Sequence, residues 1–144
     1  MSFFKSMDIS GSGLTAQSFR MDVIAQNIAN VDTTRTADGG PYQRRTTVLG
    51  QQADFAGILA GVAAEGSPVT GVEVVATEAD TTPFQLVYNP THPDAGADGY
   101  VRMPNVDVTT EYVDLISASR SYEANLTVMN ATKRMAVKAL EISG

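Results

Sequence analysis

The chain contains no cysteine and a single histidine, His92, among its 144 residues. The missing thiols exclude disulfide bonds and thiolate metal sites. One imidazole is too few for a histidine-rich metal centre, and it makes a catalytic triad hard to build. No phosphate-binding loop, dinucleotide fingerprint or nucleophile elbow is present. We therefore expect no cofactor, no bound metal and no enzymatic activity.

Basic residues and long apolar runs are also scarce. Ten lysines and arginines against sixteen aspartates and glutamates give a net charge of -6. Because an acidic protein repels phosphate backbones and anionic lipid, we expect neither nucleic acid nor a membrane surface as a partner. No run approaches the roughly 18 apolar residues of a membrane helix, so we expect no direct membrane insertion. The first residues lack the apolar stretch of a cleaved secretory signal.

Both ends of the chain carry the apolar spacing of long amphipathic helices. Near the start, apolar residues recur every seven positions, at Met7, Leu14, Met21 and Ile28. Near the end, steps of three and four alternate along a second seam, which comprises Tyr112, Leu115, Ser119, Tyr122, Leu126, Met129, Lys133, Ala136 and Leu140. Seams of this kind line the contact faces of coiled coils. We therefore predict that the two terminal helices pair as a coiled-coil-like stalk.

The first helix is predicted over residues 3–30, with Asn30 closing it. Gly11 and Gly13 each cost about 1 kcal/mol relative to alanine in a helix interior. Either the regular helix begins only near Leu14, or these glycines allow another backbone to pack closely against the helix. The polar face carries mainly serine, threonine, glutamine and asparagine, which predicts a surface that contacts protein. The alternative is a plain polar face of low charge.

The middle of the chain predicts a small β-rich domain. Strands are predicted over residues 42–49, 71–78, 84–88 and 100–103, and a short helical turn over residues 55–62. Gly39 and Gly40 before Pro41 predict a turn. We interpret Arg44 and Arg45 as a solvated or salt-bridged edge. The fold class is thus α+β, with paired helices in residues 1–34 and 107–144 and the β-rich domain in residues 35–106.

The second helix is predicted to begin near residues 107–110, whose side chains suit an N-cap, and to continue to residue 142. Glu111 and Asp114 lie in its first turns, and Lys133, Arg134 and Lys138 lie toward its end. This order of charges complements the helix dipole and supports the assignment.

One group of residues could hold a metal, namely His92 with Asp94 and Asp98. The spacing fails as a calcium loop, because its third position would be Gly96 and its twelfth Asn105. The other interpretation is a proline-constrained loop whose aspartates cap backbone N–H groups. A soluble module that binds a metal or small ligand at these residues is our alternative function.

Several stretches resemble the bacterial flagellar rod and hook (axial) protein family. Residues 12–16 (SGLTA) and 27–34 (NIANVDTT) resemble the N-terminal signature of that family. Residues 39–45 (GGPYQRR), 88–95 (YNPTHPDA), 99–106 (GYVRMPNV) and 116–125 (ISASRSYEAN) resemble its proximal rod members more specifically. The likeness covers nearly the whole chain and is weakest over residues 50–67.

The resemblance implies a structural subunit of the flagellar basal-body rod. Such proteins leave the cytoplasm through the flagellar type III export apparatus without a cleaved signal peptide. They assemble helically into the periplasmic drive shaft that transmits motor torque. The implied partners are copies of the chain itself, other proximal rod proteins, the distal rod protein, the rod-to-membrane-ring adaptor and the export apparatus.

We predict assembly contacts along the two seams and at positions of close approach. Head-to-tail contacts that do not close into a ring would produce a helical assembly. Before assembly, we expect the terminal segments to be loosely ordered. The predicted interface residues are Gly11, Gly13, Leu14, Met21, Asn27, Ile28, Asn30, Leu115, Tyr122, Leu126, Met129 and Leu140.

Overall fold

A computed structural model describes residues 3–52 and 71–143, with side chains over residues 4–52 and 71–141. The elements in these residues are, in order, α1 (Phe3–Ala29), β1 (Arg45–Gln51), β2 (Val72–Ala79), β3 (Gln85–Tyr88), β4 (Tyr100–Met103) and α2 (Val108–Ser143). Strands β1 and β2 form one small antiparallel sheet, and β3 and β4 form another. The predicted α+β class is confirmed, while the helical turn predicted over residues 55–62 lies outside the described residues.

Both helices have the ends that their sequences predict. α1 runs without interruption through Gly11 and Gly13, so it does not begin only near Leu14. A Cβ atom on Gly13 would lie 2.9 Å from the Asn125 side-chain nitrogen, so the close approach is to a side chain of α2 rather than to a backbone. α2 begins directly after Asp107, whose carboxylate accepts the Thr109 N–H at 2.9 Å as an N-cap.

Strand β1 begins three residues later than predicted. The backbone N–H of Tyr42 donates to the Thr33 carbonyl at 2.9 Å. The N–H of Arg44 donates to the Asn105 side chain at 2.8 Å. These groups are engaged outside the sheet, so the ladder with β2 starts at Arg45. Ahead of the strand, the predicted turn is confirmed, because φ is 80° at Gly39 and 111° at Gly40.

The chain divides into two compact units, and each combines parts of both helices with strand residues. Unit 1 comprises Met1–Phe19, Val48–Ala76 and Ala118–Gly144, and unit 2 comprises Arg20–Thr47 and Thr77–Ser117. The sequence-based division into paired helices and a β-rich middle domain stays a prediction.

In unit 1, two glycines of α1 lie against side chains of α2. Gly11 lies near Met129 and Gly13 near Asn125, so the two segments run antiparallel. Ser10 and Ala16 of α1 are buried, whereas the predicted seam residues Met7 and Leu14 are only half-buried. The glycines of α1 therefore leave room for the Asn125 and Met129 side chains of α2 to approach closely.

Strand β2 is positioned on α1 by a hydrogen bond within unit 1. The backbone N–H of Val72 donates to the Ser12 hydroxyl at 3.1 Å. Gly71, with φ of 148°, lies so close that a Cβ atom there would overlap Ser12. Glycine is therefore required at the start of this strand, for both its backbone conformation and its lack of a side chain.

Unit 2 contains an apolar core and a small sheet. Val23 and Ile24 of α1 are buried, as are Val101 of β4 and Val106. Strands β3 and β4 pair antiparallel in a register that places Tyr88 opposite Tyr100. Two polar side chains of unit 2, Asn27 and Glu111, are also fully buried, and both belong to a cluster of hydrogen bonds and ion pairs.

Candidate assembly surface and buried polar cluster

In unit 2, the first turns of α2 present large apolar side chains to solvent. Tyr112, Val113 and Ile116 are 52%, 63% and 54% exposed. They lie at positions i, i+1 and i+4 and so occupy one side of the helix. A contiguous exposed apolar patch is unusual for a protein that acts alone and is typical of a surface that contacts another protein.

In unit 1, α2 again exposes apolar side chains. Two of the predicted interface residues, Leu126 and Leu140, are 41% and 72% exposed. Val128, Met135 and Val137 are exposed as well. This part of α2 therefore also offers apolar surface that its own unit does not cover.

The remaining predicted interface residues are more enclosed. Half-buried positions in the subunit are Gly11, Gly13, Leu14, Met21, Ile28, Asn30, Leu115, Tyr122 and Met129. Asn27 differs from all of these, because its side chain is fully buried in the interior of unit 2. The role of the half-buried and exposed residues in assembly stays a prediction, whereas the Asn27 side chain contacts its own chain.

The Asn27 amide makes all four hydrogen bonds that its chemistry allows. Its nitrogen donates to the Arg45 carbonyl at 2.8 Å and to the Glu111 carboxylate at 3.0 Å. Its oxygen accepts the Tyr42 hydroxyl and the Arg45 N–H, both at 3.0 Å. The last turn of α1 is thereby joined to the start of β1 and to the first turn of α2.

Arg44 provides the positive charge for this buried site. Its Nε donates to Glu111 at 2.6 Å, and its other nitrogens lie 3.3 Å from Asp114 and 3.5 Å from Asp80. Glu111 is fully buried, and the Arg44 side chain is 20% exposed. Such a carboxylate requires a partner, because an uncompensated buried charge is strongly unfavourable. We call Asn27, Tyr42, Arg44, Asp80, Glu111 and Asp114 the Arg44 cluster.

The protonation of the cluster follows from these contacts. Burial tends to lower the pKa of Arg44, but hydrogen bonding and charge attraction from Glu111 and Asp80 raise it above its ordinary value. Burial raises the pKa of Tyr42, against the opposing charge of Arg45. Arg44 therefore stays charged, and Tyr42 keeps the proton that it donates to Asn27.

Only part of this cluster was predictable from the sequence. Asn27 was predicted as a residue of close approach, and Arg44 with Arg45 as a solvated or salt-bridged strand edge. The salt bridge of Arg44 is confirmed, but Arg44 lies just before β1 rather than in it. Glu111 was interpreted only as a charge that complements the dipole of α2. A glutamate in a first helical turn is ordinary, so its full burial could not be predicted from the sequence.

In the loop that holds His92, the side chains of His92 and Asp94 are engaged in hydrogen bonds and an ion pair. The His92 Nδ1 accepts the Asp94 N–H at 3.1 Å. The Asp94 carboxylate accepts the Thr34 hydroxyl at 2.8 Å and lies 2.8 Å from Arg35. Within residues 3–52 and 71–143, no group of three or more histidine, aspartate or glutamate side chains is placed to hold a metal. Nothing in this loop favours the alternative of a ligand-binding module.

The part of the chain that the structure describes contains no helix long and apolar enough to cross a membrane.

Comparison with known proteins identifies the family. The profile of the flagella basal body rod proteins matches residues 7–35, and that of the flagellar basal body rod FlgEFG protein C-terminal region matches residues 97–142. The flagellar basal-body rod protein FlgC of Bacillus subtilis is 49% identical over 99% of both chains. The chain belongs to the FlgC family of flagellar basal-body rod proteins.

Other members of the FlgC family show the same extent of similarity. The proteins of Borreliella burgdorferi and Salmonella typhimurium are each 44% identical over 99% of this chain and 98% of their own length. The two matched profile regions contain most of α1 and, at the other end, β4 with nearly all of α2. The chain is a structural subunit of the flagellar basal body, in a family that is not known for enzymatic activity, and it assembles with other rod components.

Proposed function

We propose that the chain is a subunit of the proximal rod and assembles helically into the periplasmic shaft that transmits motor torque. Its neighbours would be copies of itself, other proximal rod proteins, the distal rod protein and the adaptor to the membrane ring. Its route would be the flagellar type III export apparatus, without a cleaved signal peptide. The resemblance of residues 88–95 and 99–106 to proximal rod members supports the position within the rod.

The observation that carries this proposal is the apolar surface of α2. Val113, Ile116 and Leu126 leave between 41% and 63% of their surface in water. Full burial of such a side chain is worth about 1.5–3 kcal/mol, so covering the exposed half contributes on the order of 1 kcal/mol per residue. Summed over many subunits, contacts of this size hold a helical polymer together when they are head-to-tail and do not close.

The substitution Leu126→Asp tests the proposal. The side chain is 41% exposed in the subunit, so an aspartate there reaches water and the subunit keeps its fold. In an assembled rod the same carboxylate would be buried without a partner, which is strongly unfavourable. We expect a strain that carries only this variant to export the protein, to build no rod and to be non-motile on soft agar.

The matched control is Leu126→Met, which keeps the apolar surface and the volume of the side chain. It should support rods and motility at the level of the unmodified protein. Normal motility with Leu126→Asp would contradict the proposed assembly face.

The proposed export route has its own test, which is N-terminal sequencing of the protein recovered from basal bodies. Loss of some twenty N-terminal residues would contradict export without cleavage.

A further inference from the structure

The last turns of α2, in unit 1, carry a solvent-exposed basic face. Residues 130–140 include three cations and no acidic residue. Lys133, Arg134 and Lys138 are all exposed, and so is Val137 between them. Among the residues with described side chains, Lys138 has one exposed ion pair of 3.9 Å, and the other two cations have none. We call Lys133, Arg134, Val137 and Lys138 the basic strip of α2.

The end of α1, in unit 2, carries charge of the opposite sign. Asp22 lies in its last turns, and Asp32 follows shortly after Ala29, where the helix ends. Both carboxylates are exposed, neither has an ion pair with another described residue, and no basic residue lies between them in the sequence. The exposed positions between them hold small or neutral side chains. We call Asp22, Ala25, Gln26, Ala29 and Asp32 the acidic end of α1.

The carboxylates of the acidic end oppose the dipole of their own helix. The C-terminus of a helix carries partial negative charge and is stabilised by cations, yet the last turn of α1 contains no basic residue. Asp32 adds a further negative charge just beyond this end. A charge that is unfavourable within the subunit is typical of a surface used for function. Cations from a second molecule would offset both the carboxylates and the dipole.

The chain itself supplies both halves of a charge-complementary contact. Unit 2 has ten aspartates and glutamates against five arginines, a net charge of -5, whereas the basic strip belongs to unit 1. Ala25 and Ala29 leave room for the long stems of lysine and arginine to lie along the acidic end. The two surfaces differ, so a contact between copies is head-to-tail, which is the kind of contact that a helical assembly requires.

We propose that the basic strip of α2 in one copy docks on the acidic end of α1 in a second copy. The inference rests on the proposed function for its setting, a helical assembly, and it adds which surfaces meet. Complementary charges fix the orientation of the contact, because like charges placed against each other are strongly unfavourable. Neither strip has to be ordered beforehand, since charges attract over about 10 Å at 0.1 M salt and can capture a loosely ordered segment.

Charge exchange tests the pairing in strains that carry only the variant chain. Lys133→Glu with Arg134→Glu places carboxylates against carboxylates and should abolish rods and motility. Asp22→Lys with Asp32→Lys places cations against cations and should do the same. All four substitutions in one chain bring opposite charges together again, so rods and motility should return. Motility of either doubly substituted strain would overturn the proposal, and so would failure of the fourfold chain to restore it.

The matched control separates a specific contact from a change in net charge. Asp38 and Glu78 are also exposed carboxylates of unit 2 and have no ion pair in the described part of the chain. Asp38→Lys with Glu78→Lys is added to the chain that carries Lys133→Glu and Arg134→Glu. This chain has the same net charge as the fourfold chain but should stay non-motile. Restored motility would overturn the proposal.

Crosslinking in intact basal bodies locates the contact directly, since the chain has no cysteine of its own. A chain with Ala25→Cys is produced together with a chain with Val137→Cys, and a short bismaleimide is added. We expect a covalent dimer that neither chain forms alone. Absence of this dimer in basal bodies from motile cells would overturn the docking contact. It would leave the role as a rod subunit standing, which Leu126→Asp tests separately.

Discussion

The substitution Arg44→Met removes the guanidinium that lies 2.6 Å from the fully buried Glu111 carboxylate, and it keeps most of the apolar stem. Removing one member of a buried ion pair costs about 3–5 kcal/mol, because the other charge is left uncompensated. Asn27 still donates to Glu111 at 3.0 Å, which favours the lower end of that range. We expect a loss of about 3 kcal/mol in the free energy of unfolding, or about 10 °C in melting temperature for a chain of this size.

Urea unfolding followed by far-UV circular dichroism measures this loss, and Arg45→Met is the matched control. Arg45 is the next residue and carries the same side chain, but it is exposed and its contacts to Asn27 use backbone atoms. The control should change the free energy of unfolding by less than about 0.5 kcal/mol. Adding Glu111→Leu to Arg44→Met should recover most of the lost stability. Equal losses for Arg44→Met and Arg45→Met would refute the reasoning.

Three further substitutions test the helices. Gly11→Ala should stabilise by up to about 1 kcal/mol, because alanine is the better helix former and a Cβ atom there meets nothing closer than 3.9 Å. Gly13→Val should destabilise by about 1–3 kcal/mol in the same urea titration, because Asn125 lies only 2.9 Å from the new Cβ. The hydrogen bond from the Thr109 N–H, together with hydrogen bonds from Thr110, lowers the pKa of Asp107. Its stabilising effect is therefore present above the unfolded pKa of about 3.9 and is lost as pH falls through the lower folded pKa. Asp107→Asn should keep the cap at pH 7 but weaken the fall of the urea midpoint below pH 4, and an unchanged acid dependence would contradict this assignment.

Long-period patterns made the helices and the fold class predictable. α1 was expected over residues 3–30 and spans Phe3–Ala29, because seven-residue apolar spacing over four turns or more has few other solutions. The N-cap at Asp107 and the four strands were also predictable, since turn residues separate them clearly. The start of β1 was misplaced because Tyr42 and Arg44 use their backbone N–H groups outside the sheet, which depends on tertiary contacts.

The buried polar cluster could not be predicted in the same way. An arginine just before a strand and a glutamate in a first helical turn are common on surfaces, and only the fold brings Arg44 and Glu111 together. The burial of α1 is also displaced from the predicted seam. Ser10 and Ala16 are buried, while Leu14 of the seam is only half-buried. Apolar periodicity identified the helix but not the side that packs most tightly.

Thiol labelling of Val113→Cys in the subunit and in the rod tests the central claim most directly. Val113 is 63% exposed in the subunit, and the introduced cysteine would be the only thiol in the chain. We expect a maleimide to label it readily in the purified subunit and in dissociated basal bodies, but not in intact basal bodies, where neighbouring proteins cover this face of α2. Equal labelling in the purified subunit and in intact basal bodies would contradict the claim that the exposed apolar face of α2 is an assembly surface.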